Sequence, residues 1–260
     1  MSEPAPLLSV KNLGFTYQGF GFWNQFKYEA LADISFDVQP GETFGVMGRN
    51  GCGKSTLLRI LAGVTKPTTG VVETQYKGLT RLLLTLGLGF NPQLSGRHNA
   101  LLSCMLQGAS KKEALGLLED IKAFSELDKF FELPVKTYSS GMRSRLGFAT
   151  AMTVNVDLLL IDETLGVGDR SFNKKAEEAI LSKIHGDQTV IFVSHNEKQV
   201  GRLCERAVWL EGGRVAAAGV TSDVAARYEI FMDELRSRKK RASKVGDVIR
   251  RGNRNQEERL

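Results

Sequence analysis

The residues from Gly48 to Thr56 carry the clearest chemistry in this chain. They read Gly-Arg-Asn-Gly-Cys-Gly-Lys-Ser-Thr, which fits the phosphate-binding pattern G-x-x-x-x-G-K-[ST]. Glycines let successive backbone N–H groups turn toward phosphate oxygens, and the N-terminus of a following helix adds partial positive charge. Lys54 can reach the β- and γ-phosphates, and the Ser55 hydroxyl can bind Mg²⁺. The predicted nucleotide-binding residues of this loop are Gly48, Asn50, Gly51, Gly53, Lys54, Ser55 and Thr56.

A strand and a helix are needed to hold such a loop, and the sequence predicts both. Thr43–Met47 is typical of a buried strand, and Leu57–Ala62 is typical of the helix that follows. A chance glycine-rich turn is the alternative. The flanking strand and helix argue against it, because the pattern is specific only in that context.

A second chemical feature lies further along the chain, at Leu158–Glu163. Four apolar residues precede the acids Asp162 and Glu163, and the run from Asp157 to Ile161 is typical of a strand buried on both faces of a parallel sheet. At the end of such a strand, Asp162 can hold Mg²⁺ through water, and Glu163 can orient or deprotonate an attacking water. The alternative is a solvated strand end with two surface acids, which the upstream phosphate loop disfavours.

The stretch Tyr138–Arg143 contains a Ser-Ser-Gly turn at the start of a helical pattern. Such a turn can offer a hydroxyl and free N–H groups to an anion. Taken alone, these residues favour the simpler interpretation of an ordinary helix cap.

The pattern from about residue 91 to 156 predicts helices, with few strand signals between them. Suitable segments are Arg97–Gln107, Lys111–Phe124 and Gly141–Thr153. We expect a helical subdomain inserted into an α/β body, which resumes with the strands Asp157–Ile161 and Thr189–Val193. The predicted boundaries are 1–240 for the nucleotide-binding domain, about 91–156 for its helical subdomain, and 241–260 for a flexible basic tail.

Composition and charge set the broad class. The chain has 260 residues, 42% of them hydrophobic and 25% charged, which is ordinary for a globular protein. No apolar run approaches the roughly 20 residues that span a bilayer. The first residues show no basic segment followed by an apolar core, so we expect no signal peptide. The three scattered cysteines indicate a reducing compartment, and we expect a cytoplasmic protein.

The net charge of +6 is concentrated at one end of the chain. Residues 236–260 carry ten basic and three acidic side chains. Three interpretations stay open: contact with nucleic acid, attraction to anionic lipid headgroups, or a solvated terminus. We expect no nucleic-acid partner.

Taken together, these stretches resemble the nucleotide-binding subunit of ABC transporters. Gly48–Thr56 is similar to the Walker A motif of that family, and Leu158–Asp162 to Walker B. The resemblance implies Glu163 as the general base and His195 as the switch histidine. It implies that Tyr17 stacks on adenine. Further nucleotide contacts are implied for the signature residues Ser139, Ser140 and Gly141 and for Asp169 at the end of the D-loop Gly166–Asp169.

The family resemblance also implies an architecture and an assembly. The fold would be an α/β P-loop NTPase core of the ABC type, with an antiparallel β subdomain and an inserted helical subdomain. The activity would be ATP hydrolysis with Mg²⁺. A single phosphate loop and a single signature imply a homodimer, with each ATP between Walker A of one copy and the signature of the other.

Three segments are similar to the ATPases of bacterial polysaccharide exporters, which serve O-antigen, capsule and teichoic-acid export. These segments are Gly87–Arg97, Tyr138–Arg143 and Asp162–Asp169. The resemblance implies a membrane-spanning permease subunit, a lipid-linked polysaccharide, and a peripheral place on the cytoplasmic face of the bacterial inner membrane. Given the length of the chain, we expect no appended carbohydrate-binding domain.

Two alternatives differ in what the ATPase serves. One keeps transport but changes the cargo to a drug or a lipid. The other is an ABC ATPase acting on ribosomes or DNA, which the lack of a second nucleotide domain disfavours. The family also has a catalytic glutamine in a loop near residue 90, and Gln93 lies too late in this sequence to match it cleanly.

Overall fold

The structure is a computed structural model that describes residues 5–20, 25–84, 89–162 and 170–237. The predicted basic tail 241–260 therefore lies outside the described residues. The strands are β1 Leu8–Phe20, β2 Gln25–Val38, β3 Thr43–Gly48, β4 Thr69–Thr74, β5 Arg81–Leu84, β6 Leu158–Asp162, β7 Thr189–Ser194, β8 Arg206–Glu211 and β9 Arg214–Val220. The helices are α1 Lys54–Leu61, α2 Gly96–Leu106, α3 Lys111–Gly116, α4 Leu118–Ser125, α5 Ser140–Thr153, α6 Arg170–Ile184, α7 Glu197–Leu203 and α8 over 221–237.

The larger sheet has six strands in the order β5-β6-β7-β3-β8-β9. Its first five strands are parallel, and β9 runs antiparallel to β8. Successive residues of a strand point to opposite faces, and both faces of this sheet are covered. On β6, Leu158 and Leu160 belong to one hydrophobic cluster, whereas Leu159 and Ile161 belong to the other. This double burial explains why the central strands read as continuous apolar runs.

The smaller sheet is antiparallel, with the order β2-β1-β4. Its buried residues share a hydrophobic cluster with α1 and with one face of the larger sheet. The Ala32 amide donates to the carbonyl of Gly213, between β8 and β9, at 2.8 Å. Past the buried part of this sheet, β1 and β2 continue as a two-stranded ribbon whose side chains are largely exposed, among them Phe26 and Tyr28.

The helices from α2 to α5 fill the middle of the chain and pack around Phe131, Leu146 and Phe148, which are fully buried. Serine side chains cap three of these helices: Ser95 on α2, Ser110 on α3 and Ser139 on α5.

The segment Lys111–Phe124, predicted as one helix, is two helices separated at Leu117. Gly116 precedes this break, and glycine costs about 1 kcal/mol relative to alanine inside a helix. None of the described helices combines the length and the apolar character required to cross a membrane.

Candidate nucleotide-binding site

A cavity of about 340 Å³ opens at the carboxyl ends of three neighbouring strands, β3, β6 and β7. Parallel α/β sheets bind ligands at this edge, because loops and helix N-termini converge there. The residues that line the cavity come from β1, β2, the loop before α1, α1 itself, and the ends of β6 and β7. They are Tyr17, Tyr28, Ala30, Asn50, Gly51, Gly53, Lys54, Ser55, Thr56, Asp162, Val193, Ser194 and His195.

The predicted phosphate loop joins β3 to α1, and its path depends on glycine. Gly48, Gly51 and Gly53 have φ values of 149°, 81° and 105°. A Cβ at Gly48 would lie 2.3 Å from the carbonyl oxygen of Leu210. A Cβ at Gly51 would meet nothing within 4 Å. Gly48 thus lets the loop pass close to β8, while Gly51 supplies a backbone conformation that other residues rarely adopt.

Lys54 is the first residue of α1 and lies over the phosphate loop. Its ammonium donates hydrogen bonds to the carbonyl oxygens of Gly48 at 2.7 Å and Arg49 at 3.0 Å. The positive charge is therefore held at the mouth of the loop, beside the N-terminus of α1, where an anion is favoured.

Ser55 and Asp162 meet across the cavity. The Ser55 Oγ donates to the Asp162 Oδ2 at 3.2 Å, although 107 residues separate them in sequence. Asp162 is the last residue of β6, and Ser55 lies in the first turn of α1. The sequence predicted both residues as Mg²⁺ ligands, and the fold brings them together.

The aromatic side of the cavity comes from the smaller sheet. Tyr17 on β1 lies directly opposite Tyr28 on β2 in the antiparallel register. The Tyr17 hydroxyl lies 3.0 Å from the Thr56 Oγ1, which ties β1 to α1. Tyr17 is 40% exposed and Tyr28 is 47% exposed, so both rings reach open space beside the phosphate loop.

His195 follows the last residue of β7 and lines the same cavity. Its neighbours are fixed by local hydrogen bonds. The Ser194 hydroxyl accepts from the amide of Asn196 at 2.9 Å, and the Asn196 side chain accepts from the amides of Lys198 and Gln199, which caps α7. The sequence did not predict α7, but it did predict His195 at the end of the preceding strand.

The predicted signature residues lie apart from this cavity. The Ser139 hydroxyl accepts a hydrogen bond from the amide of Met142 at 3.2 Å and so caps α5. Ser140 and Gly141 begin that helix. None of these three residues is among those that line the cavity, so within the described part of the chain they do not complete it.

A model of the ABC transporter family matches residues 31–166, which include the phosphate loop, the signature and Asp162. The chain belongs to the ABC transporter family. This membership explains why one cavity joins a phosphate loop, an acidic strand end and a histidine, and it confirms the family that the motifs of the sequence predicted.

Curated relatives of this ABC transporter subunit have names that concern export of cell-surface polymers. An O-antigen export system ATP-binding protein, RfbB of Klebsiella pneumoniae, is 44% identical over 206 residues, which cover 79% of this chain and 83% of that protein. A teichoic acids export ATP-binding protein, TagH of Enterococcus faecalis, is 42% identical over 203 residues. That match covers 78% of this chain but only 45% of the longer enterococcal protein.

A solved structure supports the predicted fold. A dimeric ATP-binding cassette in a post-hydrolysis state with ADP and Pi superposes with a TM-score of 0.65 at 23% identity. The likeness covers 82% of this chain and 98% of that one. The predicted ABC-type ATPase fold, with a parallel sheet, an antiparallel sheet and added helices, is therefore confirmed.

Several predicted residues of this ABC subunit cannot be placed. Glu163, Asp169 and the rest of the segment 163–169 lie outside the described residues, as does Leu88 in the segment Gly87–Arg97. Gln93 is described and exposed. Its Oε1 accepts from the Lys136 Nζ at 3.2 Å, and it does not line the cavity.

Four cavity residues were not predicted as site residues from the sequence: Tyr28, Ala30, Val193 and Ser194. Tyr28 belongs to an aromatic-rich stretch whose role the sequence leaves open. The signal that could have revealed it is its register with Tyr17, which becomes visible only when β1 and β2 are paired.

Proposed function

We propose that this chain is the ATP-hydrolysing subunit of an ABC transporter that exports a lipid-linked bacterial cell-surface polysaccharide, of O-antigen or capsule type. The observation that carries the ATPase part is the cavity in which Ser55 faces Asp162 beside Lys54. The cargo rests on the names of the relatives, which concern O-antigen and teichoic-acid export.

The donors at the Ser55–Asp162 pair suit Mg²⁺. Mg²⁺ takes oxygen ligands and is usually held by one or two carboxylates together with substrate phosphates. Ser55 offers a hydroxyl and Asp162 a carboxylate, 3.2 Å apart. Among the described residues no group of three or more His, Cys, Asp or Glu could hold a metal, so the ion would depend on nucleotide oxygens for its remaining ligands. When bound, Mg²⁺ would offset charge on the β- and γ-phosphates.

The remaining roles follow from position and chemistry. Lys54 would exchange its bonds to the loop carbonyls for phosphate oxygens, since its ammonium already lies at the mouth of the loop. Glu163 directly follows Asp162, and we propose it as the base that orients the attacking water. His195 would contact the γ-phosphate from the end of β7, and Tyr17 would stack on the adenine.

The separation of the signature from the cavity supports a composite site. A nucleotide on the phosphate loop would leave one side open, and the N-terminus of α5, capped by Ser139, suits an anion. We propose that a second copy of this chain supplies that helix N-terminus across a two-fold axis. Asp169 would lie in the same interface. Each dimer would then enclose two ATP molecules.

Mixing two inactive variants tests the composite site. Lys54→Ala removes the phosphate-binding lysine, and Gly141→Asp places a negative charge at the signature. In a mixed dimer, one of the two sites is intact. The Gly141→Asp chain supplies its phosphate loop, and the Lys54→Ala chain supplies its signature. Since half of randomly formed dimers are mixed and each has one intact site, about a quarter of wild-type hydrolysis should return.

The controls are each variant alone and a mixture of Lys54→Ala with Glu163→Gln. Lys54 and Glu163 both belong to the half-site that carries the phosphate loop. In that mixture the phosphate-loop half of every site is therefore defective, whichever chain supplies it. Hydrolysis that stays absent in the first mixture would refute the shared site. An unmodified chain that fails to hydrolyse Mg-ATP would refute the ATPase proposal itself.

The permease contact is proposed for the exposed apolar side of α2 and for the segment Gly87–Arg97, which ends in the first turn of that helix. Leu102, Met105 and Leu106 are spaced i, i+3 and i+4, so they share one side of α2, and all three are exposed. Leu106 is 88% exposed. Phe90 instead packs against the hydrophobic core, so it is less suited to direct contact. This surface would place the subunit on the cytoplasmic face of the bacterial inner membrane.

Charge placed on that surface should separate the subunit from its membrane partner. Leu106→Asp is expected to reduce binding to inverted vesicles of the native membrane, while hydrolysis by the isolated subunit is unchanged. Val64→Asp is the matched control, because Val64 is also an exposed apolar residue but lies after α1. Equal vesicle binding by both variants would contradict the assignment.

A further inference from the structure

Strand β2 passes close to the phosphate loop two residues after Tyr28. A Cβ at Gly53 would lie 2.7 Å from the carbonyl oxygen of Ala30, so the two backbones touch. The register of β1 and β2 shifts opposite Ala30, where Phe15 pairs with Leu31 and Thr16 with Glu29. Ala30 and Tyr28 nevertheless both line the cavity. Tyr28 therefore lies two residues along β2 from the contact with the phosphate loop, on the wall of the same cavity.

The opposite strand carries Tyr17 at the same level. Tyr17 and Tyr28 are direct partners in the register of β1 and β2, and residues facing each other in this way have side chains on the same side of the sheet. Both line the cavity. The sequence predicted an adenine contact for Tyr17 alone.

Each tyrosine ring is supported by a second aromatic ring. Tyr17 packs edge-on against Phe15, with centroids 4.8 Å apart and an angle of 86° between the planes. Tyr28 stacks on Phe26, with centroids 6.4 Å apart and an angle of 14°. The rings are thus held in place before any ligand arrives, which lowers the entropy lost on binding.

Exposed aromatic rings beside a phosphate-binding loop need an explanation. Tyr17, Tyr28 and Phe26 all expose at least 40% of their surface, although aromatic residues bury large apolar areas when they pack. Exposed apolar patches on proteins often mark ligand-binding surfaces. Tyr17 and Tyr28 line the same cavity as Lys54 and Ser55, so a nucleotide whose phosphates bind the loop can bring its base to these rings.

We propose that Tyr28 is a second base-binding residue, and that it forms with Tyr17 a two-tyrosine site for the purine base of the nucleotide. The inference rests on the proposed ATP binding and adds a residue that determines affinity for the base. The phosphate end of the ligand is held by Lys54 and Ser55, and the base end contacts both tyrosine rings. Phe26 supports Tyr28 from its other side.

The test compares a ligand that has a base with one that does not. Binding of Mg-ATP and of inorganic tripolyphosphate with Mg²⁺ is measured by calorimetry for the full chain and for Tyr28→Ala. Loss of one aromatic stacking partner is expected to raise the Kd of ATP roughly 5- to 150-fold. The Kd of tripolyphosphate should not change, because this ligand lacks the base that Tyr28 is proposed to contact. Tyr28→Phe keeps the ring and should bind ATP like the unmodified chain.

Tyr76→Ala is the matched control. Tyr76 is 44% exposed, close to the 47% of Tyr28, but it does not line the cavity. This variant should bind both ligands normally. In steady-state hydrolysis, Tyr28→Ala should raise KM by a larger factor than it lowers kcat, since the proposed contact is with the base and not with the reacting phosphate.

Two results would overturn the inference alone. If Tyr28→Ala bound ATP as tightly as the unmodified chain, Tyr28 would not contact the base. If it weakened ATP and tripolyphosphate equally, Tyr28 would only support the loop. An unmodified chain that bound neither ligand would overturn the proposed ATP binding as well, so the two failures are distinguishable.

Discussion

Gly53→Ala should destabilise the protein more than Gly51→Ala, the same substitution two residues earlier in the phosphate loop. Gly53 precedes α1 with φ 105°, a conformation that residues with a Cβ rarely adopt. The added Cβ would lie 2.7 Å from the carbonyl oxygen of Ala30 and 2.6 Å from the Leu31 Cδ2. The leucine methyl can move, but the Ala30 carbonyl belongs to the backbone of β2 and cannot move without disturbing the strand.

Two costs add at this position. A left-handed conformation costs an L-residue about 1–2 kcal/mol. Insertion of a methyl group into a tightly packed site costs about 1–3 kcal/mol more. We therefore expect Gly53→Ala to lower the free energy of unfolding by about 2–5 kcal/mol, a large part of the 5–15 kcal/mol typical of a domain.

Gly51→Ala separates the two costs. Gly51 also has a positive φ, 81°, but a Cβ there would meet nothing within 4 Å. Gly51→Ala should therefore lower the free energy of unfolding only by the conformational cost, about 1–2 kcal/mol. Urea unfolding followed by circular dichroism measures both variants against the unmodified chain. If Gly53→Ala were no less stable than Gly51→Ala, the contact between β2 and the phosphate loop would be too loose to support this reasoning.

Two further predictions concern polar side chains away from the cavity. Asn99→Ala should lower the free energy of unfolding by at least about 2 kcal/mol and speed amide exchange in residues 91–95, because buried Asn99 accepts from the amide of Asn91 and donates to three carbonyls of that segment. Unchanged exchange would refute this. Burial tends to raise the pKa of Asp157, but hydrogen bonds from Thr80 and Tyr76 outweigh it and hold the pKa below its ordinary value. The difference in free energy of unfolding between the unmodified chain and Asp157→Asn should therefore be constant above about pH 4 and shrink as the pH falls through the lowered pKa. Urea unfolding at several pH values measures this difference. A difference that does not depend on pH would contradict the role of charge.

The sequence predicted the local structure of the site well, because the relevant signals are local. A buried strand, a glycine-rich loop and a helix follow each other without interruption from Thr43 to Ala62, so pattern and spacing sufficed. Asp162 was placed equally well, since an apolar run followed by acids marks the end of a buried strand. The sequence predicted Ser55 and Asp162 separately as Mg²⁺ ligands, and the hydrogen bond between them is seen only in the structure.

Features that depend on long-range pairing were harder to predict. Tyr28 is one aromatic residue among several until β2 is aligned with β1, and only then does it face Tyr17. The short helix α7 was missed because its seven residues carry little periodic signal, and its start is fixed by the Asn196 cap. The signature could be recognised, but the structure of one chain leaves Ser139 away from the cavity. The roles of Glu163 and Asp169 stay predictions.

The segment from Pro92 to Gly96 is bound along its backbone to the segment that leads into α5. The amide of Val135 donates to the carbonyl of Leu94, and the amide of Lys136 donates to the carbonyl of Pro92, both at 2.9 Å. At the end of this pairing, a Cβ at Gly96 would lie 2.2 Å from the Tyr138 hydroxyl oxygen. A displacement of the start of α2 would break those backbone hydrogen bonds unless the residues before Ser139 moved too. The beginning of α2 and the beginning of α5 are thus constrained to shift as one mechanical unit.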